Sequence, residues 1–128
     1  MEKKPVTTPA APKAIGPYSQ GIRAGEMLFC SGQIPLDPVT GELVVGGVEA
    51  ETERVLKNLV AVLEGAGGTL ADVVRTTIYL VDIGDFGVVN EVYGRFFTEP
   101  FPARATVEVK GLPRGARVEI DAVAVIGG

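Results

Sequence analysis

Charged side chains crowd one short stretch near the end of the chain. Arg104, Glu108, Arg117, Glu119 and Asp121 sit among the alternating apolar residues of "FPARATVEVKGLPRGARVEIDAVAV", 101–125. Their types are those of carboxylate recognition and proton transfer. A guanidinium offers a planar fork that fits a carboxylate with two parallel hydrogen bonds, and a glutamate can hold a water molecule or carry a proton. Charge placed among core-forming residues is costly unless it is paired or used. Alternation over 116–126 turns Val118, Ile120, Ala122, Ala124 and Ile126 to one face, and Arg117, Glu119, Asp121, Val123 and Val125 to the other. Over 104–110, Ala105, Val107 and Val109 oppose Arg104, Thr106, Glu108 and Lys110. Joined as a hairpin through Gly111–Leu112–Pro113–Arg114, the strands set Glu108 opposite Arg117, Thr106 opposite Glu119 and Arg104 opposite Asp121. Each opposite-charge pair favours that register by about 0.2–1 kcal/mol. Such a face is either a ladder of ion pairs at solvent, or the lining of a site in which Arg104 grips an anion and Glu119 acts as acceptor or base. Periodicity leaves both open.

The residue types that are missing narrow the chemistry further. With no histidine in 128 residues, neither a Ser-His-Asp triad, a Cys-His dyad nor a His-bearing zinc site can be built within this chain. The single cysteine, Cys30, has no internal disulfide partner, and no GxGxxG or GxxxxGK[ST] loop is present. Cofactor-free binding or acid–base work remains, carried by Arg, Glu, Asp, Tyr, Ser, Asn and backbone groups. The twelve Lys and Arg are scattered and the net charge is −4, which argues against a nucleic-acid surface built on a basic stripe. No apolar run approaches the roughly 20 residues that span a bilayer. The start, "MEKKPVTTPAAPKAIGPYSQ", lacks the apolar core of a secretory signal, so a cytoplasmic protein is expected.

These groups must be held by one domain, 1–128. Four of nine prolines lie in 1–17, an extended arm whose residues 1–13 read as flexible. "GIRAGEMLFCSGQI", 21–34, reads as a hairpin turning at Ala24–Gly25–Glu26, and "PLDPVTGEL", 35–43, as a loop. From Val48 the period lengthens. Val55, Leu56, Leu59, Val62, Leu63 and Ala66 recur at three- and four-residue steps, while Glu49, Glu51, Glu53, Lys57 and Glu64 take other faces. That is an amphipathic helix, stopped at Gly65–Gly68. "VVRTTIYLVD", 73–82, has the pattern of a central strand. Asp85 is placed to cap a second helix, "FGVVNEVYGRFF", with Phe86, Val89, Val92 or Tyr93, and Phe96 or Phe97 inward; Pro100 and Pro102 end it. The order ββαβαββ predicts an α+β fold, a single mixed sheet with two helices on one face. Its other face is left open, which usually means association with further copies.

Four stretches carry a resemblance. "AIGPYSQGI" (14–22), "FCSGQIPLDPVTGEL" (29–43), "TTIYLVDIGDFGVVNEVYGRFF" (76–97) and the 101–125 segment closely resemble the reactive intermediate imine deaminase family, the Rid or YjgF type. The likeness runs from about Ala11 to Ile126 in the family's order and spacing, apart from a few residues missing before Phe101. It implies a chorismate-mutase-like fold and a homotrimer with a site at each subunit interface. It also implies cofactor-independent hydrolysis of 2-iminopropanoate and 2-iminobutanoate to 2-oxo acids and ammonia. By the same resemblance Arg104 holds the substrate carboxylate, Glu119 positions the attacking water, Tyr18, Ser31 and Gly32 line the pocket, and Asn90 lies near it. Many members have cysteine where this chain has Thr106, so thiol chemistry is not expected, though the main-chain groups there remain able to hold a ligand. A non-catalytic trimeric binder of small carboxylates or 2-oxo acids is the alternative. A ribonuclease-like activity, ascribed to some relatives, fits the missing histidine and scattered basic residues poorly.

Overall fold

The alternating segment 118–125 forms the centre of a sheet, not one arm of a terminal hairpin. The computed structural model describes residues 2–127. Its strands are β1 (Lys3–Val6), β2 (Gly21–Ala24), β3 (Met27–Gln33), β4 (Val73–Leu80), β5 (Ala103–Glu108) and β6 (Val118–Val125); its helices are α1 (Gly47–Gly65) and α2 (Phe86–Phe96). They make a six-stranded sheet in the order β1-β2-β3-β6-β4-β5. The expected ββαβαββ order is present, preceded by one further strand in the proline-rich arm. That arm is tied down again by Gln20, whose buried side chain accepts from Thr8 N at 2.7 Å and donates to the Thr8, Ala11 and Pro12 carbonyls.

The proposed pairing of 104–110 with 116–126 is corrected. β5 runs parallel to β4 at the sheet edge, while β6 inserts antiparallel between β3 and β4. Backbone satisfaction explains the outcome. Val118, Ile120, Ala122 and Ala124 are fully or almost fully buried, and a strand at that depth needs hydrogen-bonding neighbours on both sides. β5, with Arg104 and Glu108 exposed, suits an edge. Two exposed charge pairs, at a few tenths of a kcal/mol each, cannot compete with that. None of the expected cross-strand pairs forms: Arg104 bonds Asn90, Arg117 bonds Glu51, and Asp121 accepts from the Tyr79 hydroxyl.

Both helices cover one face. Val55, Leu56, Leu59, Val62 and Leu63 of α1, with Val89, Val92 and Tyr93 of α2, pack on Ile78, Leu80 and the apolar side of β6. α1 stops as expected, with Gly67 in the left-handed region (φ 86°) and Gly68 N bonded back to Leu63 O. The cap expected from Asp85 is not made. A short 3-10 turn, Ile83–Asp85, precedes α2 and moves the capping role to Asp82, whose carboxylate accepts from Gly84 N at 2.8 Å.

α1 also carries polar pins. Glu51, off the apolar stripe in the sequence, is fully buried, and it accepts from Arg117 N at 2.8 Å and from Arg117 Nη1 at 2.6 Å. Asn58, equally buried, donates to the Ile34 and Leu36 carbonyls. One helix thereby fixes both the exit of β3 and the entry to β6. Glu51→Ala is expected to lower stability by about 2–4 kcal/mol, because the Arg117 amide loses its acceptor in a closed environment. Urea unfolding measures it, and Glu51→Gln, which keeps an acceptor oxygen, should recover about half.

The other face of the sheet is uncovered. Met27, Phe29, Val107 and Val125 are exposed there, with Phe29 aligned to Val123 and Met27 to Val125. Thr77 with Asp121, and Tyr79 with Glu119, continue the same face in polar residues.

Candidate active site

The register divides the expected site residues into two groups. Arg104 aligns with Thr76 across the β4–β5 ladder, and Thr76 aligns with buried Ala122, so Arg104 lies on the helix side. Glu119 aligns with Tyr79 and lies on the open side. Within one chain the two are on opposite faces, against the shared face that the hairpin register required.

The first group is built on α2 and β5. Arg104 Nη1 donates to Asn90 Oδ1 at 2.8 Å, and the guanidinium sits 4.9 Å above the Tyr93 ring and 5.5 Å from that of Phe86. Phe86, Asn90 and Tyr93 follow at helical spacing, so one face of α2 presents all three to the edge strand. Tyr93 is fixed from below: its hydroxyl meets Thr76 Oγ1 at 2.8 Å, and its ring stacks on Phe97 at 4.4 Å. Burial pushes the Tyr93 phenol up, outweighing the opposing effects of the Thr76 hydrogen bond and the Arg104 charge, so it stays neutral. No carboxylate pairs with Arg104 among the described residues. It lines instead a cleft of about 480 Å³ with Asn90, Tyr93, Phe101 and Pro102. Thr106 follows two residues along the same face of β5, half-buried opposite Ile78. This is a cation held over an aromatic floor with its fork unclaimed by acid, an arrangement suited to a small carboxylate.

The second group gathers around the end of β3. The β3–β6 register slips between Cys30 and Gln33, and Gly32 occupies that irregularity. A methyl group on Gly32 would run into the Glu119 carboxylate, so glycine is what admits the glutamate here. Burial, with the like charge of Asp121 as a second cause, raises the Glu119 pKa above its ordinary value of 4.5. Asp121 is itself held by Tyr79, whose hydroxyl donates to it at 2.9 Å. Ser31 donates its hydroxyl to Ser19 O and its amide to Gln20 O, so its side chain is committed to structure. Tyr18 is exposed and shares a second cavity with Gly32.

Sequence reasoning named Asn90 and Arg104 but not the Phe86–Tyr93 floor beneath them. Both aromatics read as core, and the signal that could have separated them is their spacing with Asn90 on one helix face. Cys30 is buried, with its thiol pushed up to about 12 by burial and then by Asp121; it is packing, not a nucleophile. Among the described residues no three His, Cys, Asp or Glu side chains gather as metal ligands, and no helix is long and apolar enough to cross a membrane.

Comparison with known proteins follows the same outline. A family model described as Endoribonuclease L-PSP matches residues 8–126. Protein DfrA of Myxococcus xanthus is 60% identical over 127 residues, 98% of this chain and 97% of that protein. The 2-iminobutanoate/2-iminopropanoate deaminase of Mus musculus is 50% identical over 125 residues, 98% of this chain and 93% of its own. The crystal structure of RidA from an Antarctic Psychrobacter species superposes with a TM-score of 0.93 at 44% identity, covering 96% of this chain and 99% of that one. With that coverage, and with the sequence resemblance drawn from the same segments, the chain belongs to the Rid (YjgF) family, the one whose model is described as Endoribonuclease L-PSP.

Proposed function

We propose that the protein is a cofactor-independent deaminase that hydrolyses small 2-imino acids to 2-oxo acids and ammonia. The observation that carries this reading is the Arg104 fork on its aromatic floor, steadied by Asn90 and without a carboxylate partner among the described residues. Support comes from the mouse, human and rat relatives named 2-iminobutanoate/2-iminopropanoate deaminase. A protonated imine beside a carboxylate is already electrophilic, so the protein needs an anion clamp, a placed water and a path for protons. Arg104 takes the carboxylate and Asn90 keeps the fork in plane. Glu119 removes a proton as water adds to C2, giving a carbinolamine. It then returns a proton to nitrogen; the C–N bond breaks as the hydroxyl proton passes back to Glu119 and on to solvent, and ammonia leaves with the 2-oxo acid formed.

Because Arg104 and Glu119 face opposite sides of one sheet, the working site is composite. Arg104, Asn90 and Thr106 of one chain meet Tyr18, Ser31, Gly32 and Glu119 of the next. A homotrimer that buries the exposed Met27, Phe29 and Val125 face supplies that arrangement. A ribonuclease reading has less to stand on, since the chain has no histidine for general acid–base work and a net charge of −4.

The test is direct: a threonine dehydratase releases the imine, semicarbazide traps it, and added protein should lower the trapped yield. An unchanged yield, with 2-oxobutanoate still binding by calorimetry, would make the protein a carboxylate binder instead. Gly32→Ala should lower the rate at least tenfold by displacing Glu119 while leaving the fold intact, read from kinetics beside a thermal melt.

A further inference from the structure

The cavity that Tyr18 shares with Gly32 carries charge used by neither the fold nor the reaction above. It encloses about 320 Å³, and Lys13, Gln33, Leu36 and Arg114 complete the part of its wall that matters here. No acid lines it. Neither Lys13 nor Arg114 has a carboxylate partner among the described residues. The one hydrogen bond from Arg114, Nη2 to Gly41 O at 3.4 Å, is long and to a neutral group.

Both side chains are exposed, but the backbone that carries each is constrained. Arg114 follows Pro113 in a one-turn 3-10 segment and adopts φ 63°, ψ 15°, the left-handed region. A side-chain-bearing residue enters that region at a cost, and such strain persists where the surroundings fix it. Lys13 adjoins the segment that Gln20 pins through the Ala11 and Pro12 carbonyls. Two cations at one rim, an apolar wall at Leu36, and the Glu119 carboxylate on the far side of Gly32 together define a subsite beside the reacting centre.

We propose that Lys13 and Arg114 form a second anion subsite that selects 2-imino acids whose side chain ends in a carboxylate and disfavours those with a cationic side chain. This rests on the imine-hydrolysis reading, with Arg104 taking the carboxylate next to the imine and the rim taking the distal one. The apolar wall accommodates the intervening methylenes, and the volume admits a four- or five-carbon acid. At about 6 Å in water-like screening, one unit charge changes affinity about threefold. Two cations that attract one side chain and repel the other separate the two substrate classes by roughly ten- to hundredfold in kcat/KM.

The experiment compares imines generated in situ from alanine, glutamate and arginine, each by an amino-acid oxidase matched to its side chain, with semicarbazide trapping. Wild-type protein should favour the glutamate-derived imine over the arginine-derived one by at least tenfold. Lys13→Gln with Arg114→Asn, the latter chosen because asparagine tolerates φ above zero, should bring that ratio within about threefold of unity. The ratio of wild-type protein should also shrink as salt is raised from low ionic strength to about 0.5 M, which needs no variant to fold. Equal rates on the two charged imines, or a ratio indifferent to both salt and substitution, overturns the subsite while the alanine-derived imine is still hydrolysed. Failure on all three imines overturns the deaminase reading itself.

Discussion

In Arg104→Lys, kcat/KM for 2-iminopropanoate falls by about a hundredfold or more, and in Arg104→Ala it falls further. The size follows from what a guanidinium does here that an ammonium cannot. Nη1 is engaged by Asn90 Oδ1 at 2.8 Å, and the flat group lies over Tyr93 and Phe86. Its plane is therefore set before substrate arrives, and the carboxylate that docks on it is set with it. Charge-assisted hydrogen bonds contribute about 1.5–3 kcal/mol each, and losing one well-placed pair costs about two orders of magnitude in rate. Lysine keeps the attraction and loses the orientation. The loss should appear mostly in kcat, with KM rising only severalfold, because substrate still binds but presents C2 to water at the wrong angle. Asn90→Ala should show the same pattern at about a tenfold loss. Tyr93→Phe, which keeps the ring and removes only the bond to Thr76, should be milder still. Near-wild-type turnover in Arg104→Lys would mean that the fork orients nothing.

The sequence named candidate site residues without showing where they point. Period 2 over 116–126 and period 3.6 over 48–66 placed β6 and α1 to within about two residues of their ends, because burial enforces both patterns. Nothing in those patterns chooses between strands as neighbours. Pairing 104–110 with 116–126 satisfied the local charges, yet β6 reached past β5 to take β4 as its partner. The choice is made by how many of a buried strand's backbone groups find partners, a property of the whole sheet. The same limit hid the two-sided arrangement of Arg104 and Glu119, since face assignment follows register. Glu51 was illegible for a related reason: a charge off the apolar stripe reads as solvated until a partner, here Arg117, arrives from 66 positions away. Gly32 was found only through the family resemblance, although its physical meaning, room for the Glu119 carboxylate, is plain once β6 is in place.

The sharpest separation of activity from stability is expected at Glu119. Its pKa is raised by burial and then by Asp121, so it protonates at a higher pH than an ordinary glutamate near 4.5. In the proposed reaction the working form is the carboxylate, which accepts a proton from water. The rate should therefore fall as pH drops through the raised value, placing the acid limb above that of a solvent-exposed glutamate. Asp121→Asn removes the like charge and should move the limb to lower pH, while Tyr79 retains an acceptor. Glu119→Gln should remove the limb and lower kcat by about 10²- to 10⁴-fold. Stability runs the other way. With the folded pKa above the unfolded one, the native state binds more protons between the two values, so stability is greater below that window and declines as pH rises through it. At neutral pH the half-buried carboxylate is thus a liability to the fold, and Glu119→Gln should unfold in urea at the same or a higher concentration than wild type. A variant that is inactive and at least as stable identifies a group kept for its reaction. Wild-type kcat in Glu119→Gln, or an acid limb unmoved by Asp121→Asn, would take the residue out of the mechanism.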